Sequence, residues 1–219
     1  MAQVRRFVVY ACSFGLNGSM TPYVKFNNQN FCWPHAVAEH YNLHLSNRSR
    51  PGTNVDTQFR DILNDVQESN IRSNDIVLVQ WTHTDRYFSE KDGTIYPTSK
   101  GKNVEWLFTD IYNEQYATNK LIGYMTALDV LGINVYHSFA DGYNHIKDNI
   151  NSSLHKTFKN FKYVGFNDVG LVWHLGPPWH FDKKDFDKKD KLVYDCCHPN
   201  DKGHKFIADQ YIKSIKPYV

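Results

Sequence analysis

Phe7-Val8-Val9-Tyr10-Ala11-Cys12 is a short apolar run, and it stops at Ser13-Phe14-Gly15-Leu16-Asn17-Gly18-Ser19. Apolar residues without polar alternation read as a strand buried on both faces. The glycines and asparagine that follow mark a loop. Downstream, Pro34 opens a helix that continues through Tyr41, since proline fits the first turn. Arg50-Pro51-Gly52-Thr53-Asn54 is a loop, and 56–68 then carries Phe59, Ile62, Leu63 and Val66 at steps of 3, 4 and 7, one face of a helix. Asp75-Ile76-Val77-Leu78-Val79-Gln80-Trp81 is a second buried strand. A helix, or two joined ones, spans 104–131 and stops at Gly132 before a third strand over 133–139. A weaker helix falls at 145–158. The closing helix, 202–215, has Phe206, Ile207, Tyr211 and Ile215 on its apolar side.

Strands thus alternate with helices from end to end, and no composition break marks a linker. That order predicts one domain over 1–219: a three-layer α/β/α sandwich around a parallel sheet of about five strands, flavodoxin-like in outline. Ligands in such folds sit at the carboxyl ends of the strands. Ser13 and the Trp81-Thr82-His83 segment fall at predicted strand ends. Residues 82–103 are polar and aperiodic, a length of loop that is usually functional or mobile. The charged run 182–190 reads as solvated.

Composition narrows the function classes. The 219 residues carry 25 Lys+Arg against 23 Asp+Glu, a net charge of +2, so a basic stripe for nucleic acid is not expected. No stretch approaches the roughly 20 apolar residues of a membrane span. The first residues show no cleavage signal, which predicts cytoplasmic synthesis and leaves release by lysis or incorporation into a virion open. Cys12, Cys32, Cys196 and Cys197 form no C-x-x-C pair, and adjacent cysteines bridge only with strain, so a reduced chain is expected. Neither H-E-x-x-H nor H-x-H spacing occurs, and Gly15 and Gly18 lack the G-x-G-x-x-G pattern. No metal or cofactor is expected.

The loop before the last helix carries the chemistry: Asp195-Cys196-Cys197-His198-Pro199-Asn200-Asp201. Acyl transfer by a serine needs a base for the hydroxyl proton and a carboxylate that fixes the imidazole tautomer. An Asp three residues before a His supplies both from one backbone segment. Pro199 stiffens the exit, and Asn200 or Asp201 can cap the helix that follows. Ser13, at another strand end, completes the order Ser, Asp, His.

Three segments give the chain its resemblance to the SGNH, or GDSL, hydrolases. Val8-Val9-Tyr10-Ala11-Cys12-Ser13-Phe14-Gly15 resembles the first block, in the variant with Cys before the nucleophile. Arg50-Pro51-Gly52-Thr53-Asn54-Val55-Asp56 is similar to the second. Asp195-Cys196-Cys197-His198-Pro199 resembles the fifth, D-x-x-H-P, and is the most specific match. The resemblance implies catalysis by Ser13, Asp195 and His198, with an oxyanion held by backbone N–H groups of Ser13 and Gly52. The third block, usually Gly-Thr-Asn-Asp, aligns with Trp81-Thr82-His83-Thr84, so His83 stands at the oxyanion asparagine and Trp81 at the glycine. Trp81 and Arg86 are the expected substrate contacts.

The resemblance implies hydrolysis of a carboxylic ester on a small molecule or carbohydrate, with sugar O-acetyl groups as the first expectation. Trp173, Pro177, Pro178 and Trp179 are a possible sugar-stacking wall. With two blocks altered, a catalytically weak or dead carbohydrate-binding or assembly module, for example of a virus particle, is the alternative, and acyl transfer by the same triad is another. His204 is the rival base, read instead as a packing or surface residue. Cys12, at the strand end, is expected to point into the core rather than act as a nucleophile.

Overall fold

The computed structural model describes residues 5–16, 31–82, 87–89, 93–95, 114–140, 162–163 and 198–215. Phe7 and Val9 of β1 (Arg6–Tyr10) face one side of the sheet, and Val8 and Tyr10 face the other. The same alternation runs through β3 (Ile76–Trp81), where Ile76 and Leu78 oppose Val77, Val79 and Trp81. Both strands are buried on both faces, which is why they read as continuous apolar runs rather than alternating ones.

Between them in sequence lie α1 (Trp33–His40), β2 (His44–Asn47) and α2 (Val55–Gln67). After β3 come a two-stranded antiparallel ribbon of β4 (Tyr87–Ser89) and β5 (Gly93–Ile95), then α3 (Glu114–Val130), β6 (Val135–Phe139), β7 (Lys162–Tyr163) and α4 (Asp201–Ile215). The main sheet is parallel throughout, in the order β2-β1-β3-β6-β7. The expected three-layer sandwich and parallel sheet are present; four strands have regular length and β7 adds two residues.

This order fixes the layers. The chain steps from β1 outward to β2 through α1, then returns past β1 to β3 through α2. Parallel crossovers are right-handed, so opposite directions of travel put α1 and α2 on opposite faces. Accordingly Trp33 and Val37 of α1 share a core with Ile207, Tyr211 and Ile215 of α4. Ile62 of α2 shares the other with Leu121, Met125 and Leu128 of α3. Asp56 ties that second layer together, accepting from Lys120 Nζ at 2.9 Å and Tyr124 OH at 2.6 Å. Burying each such aliphatic side chain stabilises the fold by roughly 1.5–3 kcal/mol.

The sequence reading omits β2, the β4–β5 ribbon and β7. His44-Leu45-Ser46-Asn47 is an edge strand, half-exposed, and so lacks an apolar run. The ribbon did carry a legible signal, Asp92-Gly93 before a β-prone pair, inside what reads as an aperiodic loop. The reading of 104–113 as helix, the helix at 145–158, the charged run and the Trp173–Trp179 wall lie outside the described residues.

Two histidines are sealed in these cores. Burial lowers His137 of β6 to about 3 and His204 of α4 to about 4, so both are neutral in the folded protein at neutral pH. Each folded value lies below the ordinary 6.5. Their contribution to stability is therefore complete well above pH 6.5 and is lost as pH falls toward 4 for His204 and toward 3 for His137, because the unfolded chain takes up the protons first. Unfolding free energy should drop by about 2 kcal/mol per histidine between pH 6.5 and 5, at roughly 1.4 kcal/mol per unit. Urea melts of wild type and His137→Gln at the two pH values test this; the variant should show a smaller drop.

Candidate active site

Ser13 leaves β1 at its carboxyl end and opens a 3-10 turn, Ser13–Gly15. Gly15 N–H donates to the Cys12 carbonyl at 3.0 Å, and Leu16 N–H donates to the Ser13 carbonyl at 3.1 Å. β1 and β3 flank the point where the direction of strand addition reverses, and loops diverging there open a crevice. His198 reaches the same place from the other end of the chain. It sits before α4, whose first turn is capped by Asn200, the Oδ1 accepting from Gly203 N–H at 3.0 Å. His198 Nε2 and Ser13 Oγ lie 2.7 Å apart, across 185 residues of sequence. Ser13 is 6% exposed and His198 is 9%, so the pair is shielded from bulk water. The Phe14 ring packs against the His198 ring, centroids 5.5 Å apart. An imidazole nitrogen at that distance can take the hydroxyl proton as the oxygen attacks an electrophile.

The turn is clamped from the β2 side. Past the end of β2, Arg48 and Arg50 N–H groups continue the ladder onto the carbonyls of Val9 and Ala11, at 2.8 and 3.0 Å. Asn47 Nδ2 donates to the Gly15 carbonyl at 3.0 Å. That extension delivers Gly52 to the same edge of the sheet, two residues beyond the bond to Ala11. Gly52 has φ +69°, a conformation that side-chain-bearing residues adopt at a cost. Asn54 then caps α2 through Thr57 N–H at 2.8 Å.

No protein-family model matches the sequence, and no curated protein does. Solved structures do match the fold. A member of the lipolytic G-D-S-L family from Veillonella parvula superposes with TM-score 0.58 at 11% identity, covering 97% of this chain and 99% of that one. A psychrotrophic esterase from Pseudoalteromonas sp., in a structure inhibited by monoethylphosphonate, gives TM-score 0.54 at 12% identity, covering 97% and 98%. A carbohydrate esterase, whose active site is described as displaying divergent catalytic and non-catalytic binding functions, gives 0.58 at 9% identity, covering 99% of this chain and 66% of that one. The chain has the SGNH/GDSL hydrolase fold.

On this fold, the structure brings Ser13 and His198 together and sets Gly52 at the neighbouring strand end. Asp195, His83 and Arg86 lie outside the described residues. Trp81 requires a correction. It was expected to contact substrate, but it is fully buried on the α2/α3 side, because alternation along β3 gives it the face of Val77 and Val79. Its indole N–H donates to His137 Nδ1 at 3.1 Å, and the two rings stack. Trp81 is thus a core residue on the α2/α3 side of the sheet. Cys12 is fully buried in the α1/α4 core, as read from the strand pattern. His204 is also fully buried, a packing residue rather than a surface one.

Gln58 was missed, because a lone glutamine on a helix carries no sequence signal. From α2 its Nε2 donates to the Gln80 carbonyl at 2.8 Å, and its Oε1 accepts from Thr82 N–H at 3.0 Å. The carboxamide acts as a substitute strand partner where the chain leaves β3. Gln58→Leu withdraws both buried bonds and should cost about 2–4 kcal/mol in a urea melt.

Proposed function

We propose that the protein is a serine hydrolase that cleaves a carboxylic ester. The 2.7 Å hydrogen bond between Ser13 Oγ and His198 Nε2 carries this reading. The position of Ser13 at the switch point of an SGNH/GDSL fold supports it. Ser13 Oγ attacks the acyl carbon, and its proton passes to His198 Nε2. The carbon–oxygen bond to the alcohol breaks, and the alcohol leaves with that proton. Water, deprotonated by His198, then attacks the acyl-enzyme and releases the acid with Ser13 restored. Asp195 is the carboxylate that holds the His198 Nδ1–H and steadies the imidazolium. Backbone N–H groups of Ser13 and Gly52, joined by His83, stabilise the oxyanion, and Arg86 contacts the substrate. The chemistry calls for no metal or cofactor.

The substrate class we assign is O-acetylated carbohydrate. It is supported by the carbohydrate esterase among the structural neighbours and by the aromatic-proline segment Trp173 to Trp179. Acetate release from an acetylated oligosaccharide, measured beside 4-nitrophenyl acetate and 4-nitrophenyl octanoate, tests this. The acetyl esters should turn over faster than the octanoate. Octanoate cleavage with the acetylated sugar untouched would overturn the carbohydrate assignment. Adding an acceptor alcohol separates the rival readings: acetyl on the acceptor instead of free acetate identifies a transferase. Saturable binding of the sugar without turnover identifies the non-catalytic binding role attributed to that same neighbour.

A further inference from the structure

The α1 helix lacks a cap of its own. Its Ncap residue, Cys32, makes no side-chain capping bond, and Pro34 in the first turn has no N–H to offer. The Trp33 N–H is instead taken by His204 Nδ1 at 3.3 Å, from the first turn of α4. Trp33 is fully buried, and its indole Nε1–H donates to the Phe14 carbonyl at 2.8 Å, inside the turn that Ser13 opens. The Trp33 ring lies against Tyr211 of α4, centroids 4.5 Å apart. Tyr211 OH in turn accepts from Gln80 Nε2 at 2.7 Å and meets Ser138 Oγ at 2.8 Å, which fixes α4 to the ends of β3 and β6.

These contacts close a ring. Ser13 is bonded to His198, which lies three residues before the start of the α4 helix. That helix holds Trp33 through His204, and Trp33 holds the turn that carries Ser13. We propose that His204 is a positioning residue for the Ser13–His198 pair, acting through Trp33 to set the nucleophile's turn against the helix that follows the base. The inference rests on the hydrolase reading. An acceptor at Nδ1 requires a neutral imidazole, and burial keeps His204 in that form. Beside the Trp33 bond to Nδ1, the ring meets the backbone of Leu16, at the end of the same turn, so both of its neighbours belong to the Ser13 side of the site. A displacement of about 1 Å between nucleophile and base costs on the order of a hundredfold in rate.

The test is the second-order rate of Ser13 phosphonylation by a small fluorophosphonate, with folding checked by circular dichroism and urea melts. His204→Leu removes the acceptor and should slow labelling tenfold to a hundredfold. His204→Asn, which offers an amide oxygen near the Nδ1 position, should stay within about threefold of wild type. Trp33→Phe keeps a ring against Tyr211 but loses the bond to Phe14, and should match His204→Leu; it carries the test alone if the leucine variant does not fold. Because the two residues act in series, the double variant should be no slower than either single one. Wild-type labelling with a folded His204→Leu or Trp33→Phe at the wild-type rate, or with multiplicative losses in the double variant, overturns this proposal alone. A wild type that takes no label overturns the hydrolase reading and the positioning role with it.

Discussion

Ser13→Ala and His198→Ala should each lower ester turnover by 10⁴-fold or more, and the double variant should be no worse than either. The two side chains form one device: without the imidazole the hydroxyl keeps its proton, and without the hydroxyl the imidazole has nothing to activate. Losses within such a unit do not add. Neither substitution is expected to unfold the chain. Alanine at 13 removes one oxygen from a turn held by backbone bonds, and the α4 cap belongs to Asn200 rather than to His198. The KM should change little, because the loss falls on transition-state stabilisation. Initial rates on 4-nitrophenyl acetate with urea melts of each variant check this. A Ser13→Ala protein that retains a tenth of wild-type turnover would place the nucleophile elsewhere.

Gly15→Ala should produce the largest loss among residues that take no part in the chemistry. A Cβ at position 15 would sit 2.2 Å from Ser49 Oγ, 2.7 Å from Ala11 Cβ and 2.9 Å from Ser49 Cβ. Real Cβ atoms do not approach so closely, so either the turn or the strand extension beside it must move. Two of the three clashing atoms belong to the segment that clamps the turn through Asn47 and Arg50, and the third lies two residues before Ser13. The strain should cost about 3 kcal/mol of stability, near the upper end for overpacking. It should also move Ser13 enough to lower turnover on the order of a hundredfold. Ser49→Gly in the same chain removes two of the clashes and should restore part of both losses. An alanine variant as stable and as active as wild type would show that the turn adapts without displacing Ser13.

The pairing of Ser13 with His198 was the most legible part of the candidate site. The apolar run of β1 stops at Ser13, and the D-x-x-H-P loop singled out His198 as its partner, while the role expected of Asp195 falls on a residue outside those described. Helical periodicity gave α2 and α4, the proline at its start gave α1, and a continuous apolar run gave β3, each nearly to the residue. What pattern reading missed lies where burial is partial or where contact is long-range. β2 is a half-exposed edge strand, and its four residues, His-Leu-Ser-Asn, hold only one apolar side chain. Trp81 was given to the substrate because it aligns with a functional block, yet its position in the strand dictated a core side chain. Gln58, Trp33 and His204 bond to partners 19 to 171 residues away, and no local pattern reports such pairs.

The most direct test of the central claim is covalent: intact mass and peptide mapping after treatment with a small fluorophosphonate, on wild type, Ser13→Ala and His198→Ala. The attacking Oγ displaces fluoride from phosphorus, so the probe reports an activated serine without knowledge of the substrate. A single adduct mapped to Ser13, absent from both variants, is the predicted result. An adduct on another residue, or none on a folded wild-type protein, would contradict the account.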